Sequence, residues 1–209
     1  EGGLEALAQE LGGGPAVPPD RPVLEAPAGE LSVGSLGRAL AASLREGDIV
    51  VEEGNTSGAA LTGLAAHAPP HRAFGLTGGA IGQGLPSAVG AAVGAPGCRV
   101  LALEADGSGM YTLQALWTMA REALDVTVVV ASNRSYRILK VELAQAGMVE
   151  PGPAARALTD LDRPDLDWPL LSRGMGVPGV RVETADELVV ALERARAEPG
   201  PSLVEAILP

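Results

Sequence analysis

The 209 residues carry 26 acidic and 15 basic side chains, a net charge of −11, with 46% hydrophobic but only 2% aromatic content. That length suits one domain, or one domain plus a fragment, with an aliphatic core, and the acidic balance argues against nucleic acid or an anionic membrane as partner. The single cysteine, Cys98, excludes an internal disulfide framework and fits a reducing cytoplasm, and neither an apolar run of transmembrane length nor a signal peptide is visible.

In chain order, Leu4 to Leu11 reads as a short amphipathic helix stopped by Gly12-Gly13-Gly14, and the Pro- and Ala-rich residues 15–30 read as a linker. Leu31 to Leu44 is expected to be a helix. Asp48 to Glu53 is expected to be a strand, followed by the polar turn Gly54-Asn55-Thr56-Ser57-Gly58 and a helix through His67. Asn55 and Thr56 sit where small polar residues cap a helix or offer donors to an anion. His67 and His71 flank two prolines and read as a surface loop rather than acid–base groups. Glu52 and Glu53 read as one solvated carboxylate and one turn cap.

Thr77 to Pro86 holds four glycines within seven residues, from Gly78 to Gly84, and leads into a small-residue helix, Ala88 to Gly94. Such a run marks a tight loop or a close backbone approach. Arg99 to Ala105 is a short apolar run and Val126 to Ala131 a β-branched one, with Leu113, Leu116, Trp117, Ala120 and Leu124 at helical spacing between them. This is a strand–helix–strand crossover joining parallel strands. Trp117 is expected to face the core. Asp106 and Asn133 then follow two strands at the same carboxyl edge, where open α/β sheets bind ligands.

An Asp carboxylate and an Asn amide oxygen supply half of a magnesium site, which a backbone carbonyl of the Arg134-Ser135 turn, a diphosphate and water would complete. Gly107 admits a phosphate closely, and Ser108 with the helix start behind it offers donors. Beyond Glu142 the sequence loosens. Leu166 to Met175 reads as a helix, Gly179 to Val182 as a strand, Thr184 to Glu187 as a capping box opening a helix to Ala197, and Ser202 to Leu208 as a last strand. The alternation predicts an α/β fold, a doubly wound and mostly parallel sheet with helices on both faces.

Asp106-Gly107-Ser108 followed 27 positions later by Asn133 resembles the thiamine-diphosphate motif of the 2-oxo-acid decarboxylase and acetolactate synthase superfamily. The stretch Tyr111 to Glu122 is most similar to its benzoylformate decarboxylase-like and acetolactate synthase large-subunit branches. Two positions depart from the motif: Ala105 replaces its first Gly, and Ser132 the first Asn of its Asn-Asn pair.

The resemblance implies thiamine diphosphate and Mg²⁺ as cofactors. It makes Asp106, Asn133 and Ser135 the metal ligands, and Asn55, Thr56, Gly107, Ser108 and Tyr136 contacts of the diphosphate region. Gly79 would accept a hydrogen bond from the aminopyrimidine, and Ile81 would wedge the cofactor into its bent shape, so these two take the catalytic part. Residues 1–30 would be the tail of a preceding central domain plus linker, residues 31–209 the diphosphate-binding domain, and residues 144–165 a mobile lid. The substrate implied is a 2-oxo acid, with decarboxylase and carboligase left open. The partner implied is a pyrimidine-binding domain or subunit that carries the activating Glu, within a homo-oligomer of the full-length enzyme. The abrupt start without Met fits a piece of a longer enzyme. Glu53 is the first carboxylate to test as an activator if the chain works alone. A non-catalytic cofactor-binding or scaffolding module is the alternative. A nicotinamide-binding domain is disfavoured, because no Gly-x-Gly-x-x-Gly opens the first strand-to-helix turn.

Overall fold

Six parallel strands form one sheet in a computed structural model that describes residues 2–12, 23–148 and 150–209. The strands are β1 (Ile49–Glu53), β2 (Arg72–Gly75), β3 (Val100–Ala105), β4 (Val126–Ser132), β5 (Gly179–Val182) and β6 (Ser202–Ile207), in the spatial order β2-β1-β3-β4-β6-β5. The central strand β4, Val-Thr-Val-Val-Val-Ala-Ser, is buried along its whole length. An unbroken apolar run of this kind is what a parallel strand covered on both faces requires.

Side chains alternate between two cores. On one face α2 (Val33–Ser43), α3 (Ala59–Ala65) and α10 (Ala185–Ala197) bring Leu36, Leu40, Leu61, Leu188 and Leu192 onto Val50, Leu101, Leu103, Val129 and Val204. On the other, α4 (Gly84–Gly94), α6 (Ala115–Arg121) and α9 (Trp168–Gly174) bring Leu85, Leu116, Met119 and Trp168 onto Ile49, Val51, Val100, Val128 and Val130. Each fully buried Leu or Ile contributes about 1.5–3 kcal/mol. Capping boxes at Ser32–Ser35 and Thr184–Glu187 open α2 and α10.

The remaining helices are α1 (Gly2–Glu10), α5 (Asp106–Gly109), α7 (Arg137–Gln145) and α8 (Pro153–Thr159). Helix α1 buries none of its residues. Of the expected linker, residues 15–22 lie outside the described residues. Nearer the domain, the Gly29 N–H donates to Asp186 Oδ2 at 2.7 Å, and Glu30 forms a single antiparallel bridge with Thr184.

Three expectations change. The strand β2 was not anticipated, because all four of its residues are exposed and carry no apolar run. The helical spacing from Leu113 to Leu124 belongs to the shorter α6, where Trp117 is 51% exposed under Arg121, whose guanidinium lies 4.9 Å from the ring centre. The 144–165 region, expected as a mobile lid, contains helix α8 and hydrogen-bonds to the loop after β4.

Trp168 is the one large aromatic in the core and is fully buried. It packs against α5, where a Cβ on Gly109 would stand 2.9 Å from its Cη2. Trp168→Ala should therefore cost about 3–5 kcal/mol in urea unfolding. Trp117→Ala, at an exposed position, should cost under about 1 kcal/mol.

Candidate functional site

From β1 the chain turns outward to β2, and from β3 it turns the other way to β4. The crevice of an open sheet lies at such a reversal, here at the carboxyl ends of β1 and β3. Registers place Glu53 beside Glu104 and Ala105 beside Ala131, so Asp106 and Asn133 leave adjacent strands at one edge.

Asp106 is 2% exposed. Its Oδ1 accepts the Gly107 N–H at 2.8 Å, and its Oδ2 accepts the Arg134 N–H at 2.6 Å, across to the loop after β4. Burial raises its pKa, opposed by the N–H groups of Arg134, Gly107, Asn133 and Ser135. Asn133 Oδ1 accepts the Ser135 N–H at 3.0 Å. Arg134 sits at φ +55°, an unusual conformation for a long side chain. It is held there by hydrogen bonds on both sides, since its carbonyl accepts the Leu161 N–H at 2.8 Å. The Tyr136 N–H and the Ser135 hydroxyl both donate to the Thr159 carbonyl, at 2.8 and 3.2 Å. Lys140 pairs with Asp160 at 2.6 Å. The loop bearing Asn133 and Ser135 is thus pinned to the end of α8.

Gly107 lies beneath the Tyr136 ring, which leaves no room there for a Cβ. The Ser108 hydroxyl donates inward, to the carbonyls of Ala105 (3.3 Å) and Glu53 (3.4 Å), so its side chain serves the fold. Asn55 and Thr56 lie on a single helical turn, Asn55–Ser57, directly after β1. Asn55 has φ +49°, and its Nδ2 donates to the Glu53 carbonyl at 3.3 Å.

The glycine loop runs over the same edge. Gly78, Gly79 and Gly82 have φ of +62°, +69° and +93°. Gln83 closes the loop by accepting the Thr77 N–H at 3.1 Å, and the Thr112 hydroxyl donates to the Gly82 carbonyl at 2.9 Å. Ile81 is 37% exposed on the open side. The Gly79 carbonyl accepts the Ile81 N–H at 3.1 Å, which leaves its second lone pair.

The carboxyl groups here exceed what the sequence suggested. Glu53 is 1% exposed and accepts the N–H groups of Gly82 and Gly84. It is neither solvated nor turned to the open side, as an activator would need to be. Glu52 is half-buried and accepts the Gly54 N–H at 2.7 Å; burial raises its pKa. Glu104, one residue before the end of β3, is fully buried, and neither of its oxygens has a hydrogen-bond partner among the described residues. Burial, then the Glu53 and Glu52 charges, push its pKa well above 4.5. A Cβ on Gly84 would overlap Glu104 Oε1. The signal for Glu104 was available: residues 100, 102 and 104 of a strand share a face.

Among the described residues no three His, Cys, Asp or Glu side chains cluster as metal ligands. A cation at Asp106 would therefore meet one carboxylate plus the neutral oxygens of Asn133 and Ser135. That donor set fits Mg²⁺ completed by phosphate oxygens and water. A cavity of about 660 Å³ runs between β5 and α10, lined by Val180, Val190 and Arg194, and touches none of these residues. Among the described residues no helix is long and apolar enough to cross a membrane.

A family model described as the thiamine pyrophosphate enzyme C-terminal TPP binding domain matches residues 53–206. A Mycobacterium tuberculosis protein named as a candidate acetolactate synthase large subunit is 48% identical over 99% of this chain, which spans 40% of that relative. Benzoylformate decarboxylase of Pseudomonas aeruginosa is 35% identical over 61% of the chain, which covers 23% of that enzyme. The Rhodococcus jostii RHA1 thiamine diphosphate-dependent 4-hydroxybenzoylformate decarboxylase superposes over 98% of the chain and 38% of its own length, with a TM-score of 0.77 and 26% identity.

The raised Glu104 pKa carries a sign. The folded chain binds more protons than the unfolded one between 4.5 and the higher folded value, so this group's contribution is lost as pH rises through that window. Urea-unfolding stability should fall as pH rises from about 4.5, and the isosteric Glu104→Gln should flatten that slope. An unaltered slope would show that Glu104 is not the group responsible.

Proposed function

The chain belongs to the thiamine pyrophosphate enzymes through their C-terminal TPP-binding domain, and from that premise we propose that it is the diphosphate- and Mg²⁺-binding half of an enzyme acting on a 2-oxo acid. The observation that carries the reading is the Asp106 carboxylate bonded to the loop that holds Asn133 and Ser135, at the edge where the strand order reverses. The reaction would be a decarboxylation or an acetolactate-type carboligation. The names of the relatives, which include both types, support that class. A pyrimidine-binding domain or subunit would complete the site. A homo-oligomer in the cytoplasm is the matching assembly.

Asp106, the Asn133 amide oxygen and the Ser135 carbonyl would hold the Mg²⁺, which lets an anionic diphosphate settle on an edge that also carries the Glu53 carboxylate. Gly107 leaves a flat backbone beneath the Tyr136 ring. Asn55 and Thr56 border the same end of β1. Thiamine diphosphate, when bound, supplies the electron sink for breaking a bond next to the 2-oxo acid's carbonyl. Ile81 would set the bend of the cofactor, and the Gly79 carbonyl would accept a hydrogen bond from its amino group.

Asp106→Ala should abolish Mg²⁺-dependent thiamine diphosphate binding in calorimetry, by roughly a hundredfold or more, since it removes the charged ligand. Asn133→Ala should weaken it by about tenfold. Wild-type affinity in either variant would refute the ligand assignment. With Glu53 committed to backbone N–H groups, the isolated chain should consume neither pyruvate nor benzoylformate with Mg²⁺ and cofactor in excess. Turnover should emerge when the pyrimidine-binding segment is supplied.

A further inference from the structure

We propose that Glu53 is a positioning residue whose carboxylate clamps the glycine loop and sets where Ile81 and the Gly79 carbonyl stand. The consequence for a ligand rests on the cofactor reading above, whereas the clamp itself is a property of this chain.

The two oxygens divide the work. Oε1 accepts the Gly82 N–H and Oε2 the Gly84 N–H, so one side chain at the end of β1 grips two peptide groups on either side of Gln83. Gly84 opens α4, where backbone N–H groups lack helical partners and the helix dipole favours an anion. The next peptide group, between Gly82 and Gln83, is held as well, since the Gly82 carbonyl accepts the Thr112 hydroxyl at 2.9 Å, so Gly82 is fixed on both sides. Gly82 has φ +93°, and a Cβ there would come within 2.8 Å of Tyr111 Cβ, so it has little room to adjust. Ile81 is joined directly to this fixed peptide, and its N–H reaches back to the Gly79 carbonyl at 3.1 Å.

Glutamate suits the task better than its neighbours in chemistry. At 1% exposure no bulk water replaces a lost acceptor. Gln offers one acceptor and turns an amide N–H₂ toward the second donor, while Asp is one methylene shorter. Among the described residues the carboxylate bonds to Gly82 and Gly84 and makes no hydrogen bond to Asp106, Asn133 or Ser135. The two halves of the proposed cofactor site are therefore separable: the metal loop receives the diphosphate, and the Glu53 clamp places the loop beneath the ring.

That separation gives the test. Binding of Mg²⁺ with pyrophosphate, and of Mg²⁺ with thiamine diphosphate, would be measured by calorimetry for the parent, Glu53→Gln and Thr112→Val, alongside amide hydrogen exchange at Gly82 and Gly84. Glu53→Gln should weaken thiamine diphosphate by roughly ten- to a hundredfold, keep pyrophosphate within about twofold, and speed exchange at both amides by about tenfold or more. Thr112→Val should act the same way on thiamine diphosphate at roughly three- to tenfold, and it carries the test alone if Glu53→Gln does not fold. Unchanged exchange at both amides, or equal loss of pyrophosphate and thiamine diphosphate affinity, overturns the proposal. A parent chain that binds neither ligand overturns the cofactor reading instead, and the exchange data then decide the clamp by themselves.

Discussion

Three carboxyl groups, Glu53, Glu104 and Asp106, end two adjacent parallel strands with almost no access to water. Much of the local architecture follows from accommodating them. A buried carboxylate needs hydrogen bonds or a counter-charge, and without them it takes up a proton. Glu53 is met by backbone N–H groups at the start of α4, and Asp106 by N–H groups of its own turn and of the loop after β4. Glu104, between Glu53 and Val130 in the sheet, has no such partner, and its pKa rises accordingly. The solutions for Glu53 and Asp106 use main-chain donors, which requires the backbone to come close. The donors include Gly84 and Gly107, where a Cβ would meet the Glu104 carboxyl and the Tyr136 ring.

The same accommodation ties distant segments to one edge. Through Glu53 the end of β1 fixes a loop about 30 residues further on, through Asp106 the end of β3 fixes the turn after β4, and through Thr159 and Leu161 that turn fixes the end of α8. The Asp106 and Glu53 carboxylates at this edge repel an anion unless a cation intervenes. A divalent ion shared between Asp106 and a diphosphate suits the field better than a direct contact would.

How much of this the sequence shows depends on whether the signal is local. Strands β3 and β4 were legible because buried parallel strands are continuous apolar runs, and α10 because its capping box lies within four residues. Asp106 and Asn133 were legible because each follows such a strand at once. The strand β2 was not, since an exposed edge strand of four residues has no hydrophobic signature. Glu53 was misread as a turn cap or a solvated group because its partners lie 29 and 31 positions away, a pairing that only the fold creates. Trp117 was misplaced for a related reason: helical spacing marks a face but does not say which of its residues meet the sheet, and in α6 Leu116 and Met119 do while Trp117 stays exposed.

The two departures from the family motif fall where the backbone does not need the family residue. Ala105 has φ −91° and ψ 150°, ordinary extended geometry, so nothing at this position requires a glycine. Ser132 is 3% exposed within β4, paired with Ile207, and its carbonyl accepts the Leu208 N–H at 2.9 Å. Its side chain belongs to the sheet and not to the loop that carries Asn133. The local strain sits instead at Arg134, whose left-handed conformation costs on the order of 1 kcal/mol for a residue with a Cβ. The hydrogen bonds its own N–H and carbonyl make, to Asp106 and from Leu161, are of a size to offset that cost. The geometry of the metal loop thus depends on main-chain bonds around Arg134, and the motif can vary at Ala105 and Ser132 without disturbing it.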